Sequence, residues 1–282
     1  MKNILIPTDF SDNASDALKY ALSLIGKTKA NIHIVHVVQV DNIPSDIPID
    51  TSDIVTKNLE EATKNMEAIE AFSNLFLSKE ENTRINITTS VSVGLVASSI
   101  KLQAVQLGAD LIIMGTQGAK RNFVEKMLGS ISTYTISHAP CPVILVPSNY
   151  EFKPIDNVIF ATNLNHSDPY ELWRASELIK PHKFRIRCVH IITNREKSNK
   201  SEIEKFGKYM VENSPSIQTI FNLEESDSIE NTLSEYVENY DAEMIIMPSS
   251  RNSFGKDLFG SRHTKKMVSW IKTPLMIMEN KE

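Results

Sequence analysis

The sequence writes one apolar strand twice, and this repetition limits what the chain can fold into. Asn3-Ile4-Leu5-Ile6-Pro7-Thr8-Asp9 is answered by Asn157-Val158-Ile159-Phe160-Ala161-Thr162-Asn163. A helical segment follows each run, and then a strand ending in His-Val or His-Ile; the spacing from Thr8 to His36 is identical to that from Thr162 to His190. Further on, Ala109-Asp110-Leu111-Ile112-Ile113-Met114 is matched by Ala242-Glu243-Met244-Ile245-Ile246-Met247, Gly129-Ser130 by Gly260-Ser261, and Pro142-Val143-Ile144 by Pro274-Leu275-Met276. Landmarks that recur in one order mean duplication, and a unit this long is a whole domain. The 282 residues accommodate two such units, each large enough to bury a hydrophobic core. The expected division is a first domain over 1–147, a linker over 148–154 between Pro147 and Pro154, and a second domain over 155–282.

Short continuous apolar runs bounded by polar residues suit parallel strands covered on both faces. Between them the period changes to helical: Ala14, Ala17, Leu18, Ala21, Leu22 and Ile25 share one face, with Ser11 or Asp12 as the cap. In the second copy Asp168-Pro169-Tyr170-Glu171 reads as an N-cap acid, a proline at the first helical position and a capping-box glutamate. A long helix through Leu59, Ala62, Met66, Ile69 and Phe76 follows in copy one, then a strand near Ile85 to Val93, a helix after Gly94 and the Leu111 strand. Copy two shortens this middle part. The expected fold class is α/β, two tandem doubly wound parallel sheets, each with its ligand crevice at the carboxyl ends of the strands.

Three segments of copy one converge on that crevice: Pro7-Thr8-Asp9, His36-Val37-Val38, and Met114-Gly115-Thr116-Gln117-Gly118 running on to Gly129-Ser130-Ile131. Gly115 and Gly118 allow close backbone approach and positive φ, and Gly129-Ser130 opens a helix whose free N–H groups and dipole attract phosphate. Each such N–H bond to a charged oxygen contributes about 1.5–3 kcal/mol, so a few suffice for micromolar binding. Taken singly, each glycine is a turn former, Ser130 a helix cap and Asp9 a turn residue. Their joint placement after strands that end on one edge turns the reading toward a nucleotide.

Composition excludes several classes. Thirty Lys and Arg against 35 Asp and Glu give a net charge of −5, without the basic excess of a nucleic-acid binder. Two cysteines without a CxxC pair make neither a disulfide scaffold nor a thiolate zinc site. Met1-Lys2-Asn3 leads straight into the first strand without a signal-peptide apolar region, and no apolar run approaches the roughly 18 residues of a membrane span. A cytoplasmic protein without a nucleic-acid or membrane partner is expected. His36 and His190, at the ends of buried strands, read as core histidines. His33, His138, His166, His182 and His263 form no metal-ligand pair on one helix, which leaves open only a zinc site assembled from distant residues. Lys120, Arg121 and Lys126 read as a solvated loop.

With Ile6-Pro7-Thr8-Asp9-Phe10-Ser11, the His36-Val37 strand end, Met114-Gly115-Thr116-Gln117-Gly118 and Gly129-Ser130, the chain resembles the universal stress protein family in its tandem-domain form. The resemblance covers nearly the whole chain. It implies a Rossmann-like fold of the adenine nucleotide alpha hydrolase type, and ATP, with Mg²⁺ carried by the triphosphate. Pro7, Thr8, Asp9 and Val37 would line adenine and ribose, with Met114 and Gly115 nearby; Gly118, Gly129, Ser130 and Ile131 would hold the phosphates. The family's ATP-binding members show Gly-x2-Gly-x9-Gly-Ser/Thr, whereas here ten residues, Ala119 to Leu128, separate Gly118 from Gly129. An inserted residue displaces the chain by up to about 3.5 Å unless it loops out.

Copy two departs further: Gly115 is answered by Pro248, which has no N–H to donate, Gly118 by Arg251, and Asp9 by Asn163. Gly260-Ser261 remains among Arg251, Lys256, Arg262, Lys265 and Lys266, a solvated basic surface on the simpler account. The expected function is therefore a regulatory, ATP-binding stress-response protein with one site per chain and no evident catalytic base. The alternatives are a slow ATPase with Asp9 as the acid in place, and a nucleotide-free protein-binding module. By the family's habit, Val143 to Val146 would pair with Leu275 to Met278 between the halves; a homodimer and an unidentified protein partner stay open.

Overall fold

A computed structural model describes residues 2–26, 28–39, 51–80, 84–116, 129–162, 164–180, 182–192, 200–213, 218–248 and 272–278. In the first half, strand β1 (Lys2–Pro7) leads to helix α1 (Asp12–Ile25) and strand β2 (Ala30–Val38). Helix α2 (Thr51–Lys79), strand β3 (Ile85–Val93) and helix α3 (Val96–Gln106) follow, then strand β4 (Leu111–Gly115), helix α4 (Ser130–His138) and strand β5 (Val143–Val146). The second half repeats the theme with β6 (Asn157–Ala161), α5 (Asp168–Ile179), β7 (Arg185–Ile192), α6 (Lys200–Asn213), β8 (Gln218–Glu225), α7 (Ile229–Asn239), β9 (Met244–Met247) and β10 (Leu275–Ile277).

Among the described residues ten strands form one sheet, in the order β3-β2-β1-β4-β5-β10-β9-β6-β7-β8. Each half has the doubly wound order 3-2-1-4-5, parallel throughout, and the two are joined where β5 and β10 run antiparallel. Leu275 pairs with Leu145, Met276 with Ile144 and Ile277 with Val143, so the last strand of each half closes the other's edge. This is the inter-half pairing that the family resemblance implied. The central strands are apolar in unbroken runs because both faces are covered: β4 reads Leu-Ile-Ile-Met-Gly and β5 Val-Ile-Leu-Val, with all but Gly115 buried. The outermost strand β3 alternates half-buried and exposed residues along most of its length, as a strand covered on one face does.

Alternation along the strands divides the core into two layers, and each layer runs through both halves. Ile4, Ile6, Ile32, Ile34, Ile113, Ile144, Phe160 and Met276 face α1, α2 and α5; Leu5, Ile112, Val143, Leu145, Ile159, Ile245 and Ile277 face α3, α4 and α7. The segment between β5 and β6 adds to the first layer. Tyr150 and Phe152 set their rings edge-on against Tyr20 of α1, with centroids 5.9 and 5.5 Å away. Lys2 Nζ donates to Leu178 O at 2.6 Å, and the His182 ring meets Leu24 O at 3.0 Å through Nε2. Among the described residues no helix is long and apolar enough to cross a membrane.

Helix starts show where local signals were read correctly and where they were not. Ser11 caps α1, its side chain accepting from Ala14 N–H at 3.2 Å. In α5 the acid expected at the cap is already inside the helix: Ser167 takes the flanking position, and Asp168 is wholly buried. Its carboxylate is withdrawn from capping because Thr162 Oγ1 donates to it and Asn165 N–H approaches at 3.3 Å. Tertiary contact, here with the end of β6, overrode the capping pattern.

Because Ile144 lies at the seam and is fully buried, Ile144→Ala is expected to cost about 2–5 kcal/mol. Both halves should weaken together, as a single denaturant transition followed by far-UV circular dichroism and by tryptophan fluorescence from the second half. Two separated transitions in the wild-type chain would contradict a common core.

Candidate functional site

The carboxyl ends of β1 and β4 lie side by side at the centre of the first half, where the strand order reverses. At such a switch point the chains leaving the two strands go to opposite faces, so a crevice opens between them. Here α1 leaves β1 for the first layer, and α4 belongs to the second.

The lip formed by β1 is a tight turn. Thr8 N–H continues the ladder to Val35 O at 2.9 Å, Thr8 Oγ1 accepts from Phe10 N–H at 3.1 Å, and Asp9 Oδ1 accepts from Ser11 N–H at 3.1 Å. Phe10 is held at φ 64°, a left-handed conformation unfavourable for an aromatic residue, and its ring lies over His36 with centroids 4.2 Å apart. His36 Nδ1 lies 2.8 Å from Thr8 O; as a carbonyl only accepts, Nδ1 carries the proton. The second half repeats this turn: Leu164 has φ 61°, its N–H donates to Thr162 Oγ1 at 3.0 Å, and His190 Nδ1 donates to Thr162 O at 3.0 Å. Both histidines are fasteners of this turn, in keeping with the core reading of the sequence.

The opposite lip is the start of α4. Gly129 N–H donates to Thr116 O at 3.0 Å, and Ser132 Oγ donates to Gly115 O at 3.2 Å, which pins the helix to the end of β4. The first intrahelical bond runs from Thr133 N–H to Gly129 O, so Ser130, Ile131 and Ser132 N–H have no acceptor among the described residues. Ser130 is exposed and Ile131 half-buried at this positive end of the helix dipole. Gly118 and the rest of 117–128 lie outside the described residues, with Lys120, Arg121 and Lys126.

The structure thus gathers Pro7, Thr8 and Asp9 at the end of β1, Val37 near the end of β2, Met114 and Gly115 at the end of β4, and Gly129, Ser130 and Ile131 at the start of α4. Asp9 is exposed, whereas Pro7, Val37 and Met114 are buried. Gly115 differs from its expected role. It has no positive φ, and a Cβ there would come within 2.5 Å of Asn13 Oδ1 and 3.0 Å of Asn13 O. What needs glycine at this position is α1 itself: buried Asn13 lies over Gly115, donates from Nδ2 to Val146 O at 3.1 Å and accepts from Thr116 Oγ1 at 3.5 Å. Gly129 also lacks a positive φ, and a Cβ on it would make ordinary contacts of 3.6 Å or more.

Asn13, Thr116 and Ser132 are the residues that sequence reasoning missed. The available signal was a polar residue, Asn13, next to the apolar stripe of α1. In the second half Ser167 and Pro248 stand in the register of Asn13 and Gly115. Asp168 stands where the first half has Ala14, placing a buried carboxylate beside Thr162. Burial, with the Asp168 charge adding to it, pushes the Cys188 thiol up to about 12. Asn163, Arg251, Lys256, Gly260, Ser261, Arg262, His263, Lys265 and Lys266 lie outside the described residues. Among the described residues no cluster of three or more His, Cys, Asp or Glu side chains could hold a metal ion.

Comparison with known proteins converges on one group. The profile of the Universal stress protein family matches residues 1–147. This chain belongs to the universal stress protein family. A universal stress protein of Methanocaldococcus jannaschii is 32% identical over 146 residues, spanning 51% of this chain and 81% of that protein. One from Synechocystis is 30% identical over 151 residues, 51% of this chain and 96% of its own. The whole ten-stranded architecture is similar to a universal stress protein of Archaeoglobus fulgidus, with a TM-score of 0.70 at 17% identity over 99% of this chain and 97% of that one; this likeness is one of fold. The second half has the same strand order as the first.

The two glycines of the first crevice are expected to respond differently. Gly115→Ala, forced against Asn13, should destabilise by about 1–3 kcal/mol, while Gly129→Ala should change stability by about 0.5 kcal/mol or less, both measured by urea denaturation. In the native protein at pH 8, Cys188 should resist iodoacetamide and react only on unfolding; a native adduct found by mass spectrometry would contradict its burial.

Proposed function

We propose that the first half binds an adenine nucleotide, ATP above all, at the β1–β4 switch point, and that this cytoplasmic stress protein acts by nucleotide-dependent regulation rather than by catalysis. The observation that carries the reading is the row of unengaged N–H groups of Ser130, Ile131 and Ser132 at the start of α4, aimed from the edge where ligands of doubly wound sheets bind. These donors suit phosphate oxygens, and the dipole favours their charge. Across the crevice the exposed Asp9 carboxylate is a fitting acceptor for ribose or adenine donors, with Pro7, Thr8, Val37, Met114 and Gly115 as the adjoining wall. Gly118 would add its backbone to the phosphate cradle. ATP would bring Mg²⁺ with its phosphates.

Two features favour binding over turnover. Asp9 already uses one carboxylate oxygen to hold the Ser11 N–H, a turn-forming bond. The side chains around the α4 terminus in the described residues, Thr116, Ser130 and Ser132, are hydroxyls without a paired base. In the second half Pro248 replaces a backbone donor and Asp168 puts a buried carboxylate near the corresponding turn, which supports one site per chain.

Calorimetry of the full chain should give one ATP site, with adenosine binding more weakly than ATP. Ser130→Asp places a carboxylate among the phosphate donors and should weaken ATP by about ten-fold or more, the equivalent of losing one charged hydrogen bond. Gly118→Arg should abolish binding. Absence of binding at millimolar ATP would overturn the proposal, and ATP hydrolysis above the buffer rate would favour a slow ATPase.

A further inference from the structure

The ten-stranded sheet has two outer edges, β3 and β8, and they differ chemically. Among the described residues β3 pairs only with β2, in register from Ala30 with Ile85 to Val38 with Val93. The backbone groups of its outer edge meet no partner there. Natural edge strands are kept apart by charge, proline, bulges or shortness. β3 has none of these devices: its nine residues, Ile-Asn-Ile-Thr-Thr-Ser-Val-Ser-Val, include no charge, proline or glycine, and its pairing with β2 is unbroken. β8 by contrast ends in Glu224 and Glu225.

We propose that β3 is the surface through which two copies of this chain associate, edge to edge and antiparallel about a two-fold axis at Thr89. The strand complements itself in that register. Ile85 meets Val93 and Ile87 meets Val91 of the second copy on the face turned to α2, while Asn86 meets Ser92 and Thr88 meets Ser90 on the other. Apolar residues thus face apolar ones and small hydroxyl or amide side chains face each other, pairings that stabilise antiparallel strands. Ile85, Ile87 and Val91 are only partly buried against the first core layer, and Val93 is 43% exposed, so a second copy would continue that layer. A two-fold interface brings charges near its axis close to their own copies; β3 itself carries none, unlike the acidic end of β8, and the carboxylate beside the axis is Glu70 of α2, which accepts from Thr89 Oγ1 at 3.0 Å. The chain already uses this chemistry at its centre, where the uncharged β5 and β10 pair antiparallel. The occupant is therefore a second copy of this chain.

The test is sedimentation velocity of the full chain at tens of micromolar. The expected species is a dimer of twice the monomer mass. Ser90 is exposed and one residue from the axis, so Ser90→Lys or Ser90→Glu places like charges on the same face of the paired strands. Each variant should sediment as a monomer with an unchanged far-UV circular dichroism spectrum, and an equimolar mixture of the two should recover the dimer through opposite charges. A wild-type monomer, a dimer that persists in both variants, or a mixture that stays monomeric would overturn the proposal.

Discussion

The antiparallel ladder between β5 and β10 is the constraint on which the rest of this molecule depends. Without it each half would end in a short, wholly apolar strand with one bare edge, an invitation to aggregation. With it both edges vanish, and the two hydrophobic layers run across the seam, so that α1 of the first half and α5 of the second share one core. The segment between β5 and β6 follows from the same arrangement. It has no regular structure, yet Tyr150 and Phe152 pack edge-on against Tyr20, and Tyr150 hydroxyl donates to Glu243 O at 3.3 Å, tying α1 to the approach of β9. Burial raises the Tyr150 phenol to about 12, with the Glu243 charge adding to it. A hydroxyl in that setting stays protonated and serves as a donor.

Two halves of one strand order in one chain need not keep the same site. The turn after the first strand survives in each half down to the left-handed residue and the histidine that fastens it, because this turn carries the chain from β1 to α1, or β6 to α5, whatever else happens. The residues beyond it have diverged. Gly115 with Asn13 gives way to Pro248 with Ser167, and Ala14 to Asp168. The first pair is coupled sterically, since a residue with a Cβ at position 115 has no room while Asn13 lies over it. The second half can therefore retain the fold while its crevice becomes chemically different from the first.

The candidate site is assembled from parts with separate structural duties. Ser132 and Gly129 dock α4 on the end of β4, Ser11 caps α1, and Asp9 holds the turn between them. What those duties leave over is the set of N–H groups that a helix terminus cannot satisfy internally. In the proposed function a ligand carrying phosphate would supply the missing acceptors.

Much of this was legible in the sequence because strand and helix periods are local properties. The doubled motif, the strands from Ile85 to Val93 and from Leu111 onward, the Ser11 cap and the parallel order of each half all follow from runs of apolar residues and their spacing. The convergence of Thr8, Asp9, Gly115 and Gly129 followed from topology alone, since strands of one direction must end on one edge. Other matters depended on which side chain meets which in space. Gly115 was read as room for a ligand and proved to be room for Asn13; Asp168 was read as a cap and proved to be a buried acceptor for Thr162. Contacts between distant residues leave no periodic trace, and so the sequence determined the two sheets and the edge at which a site must lie, while only the tertiary packing decided which polar residues serve the fold and which remain open to a ligand.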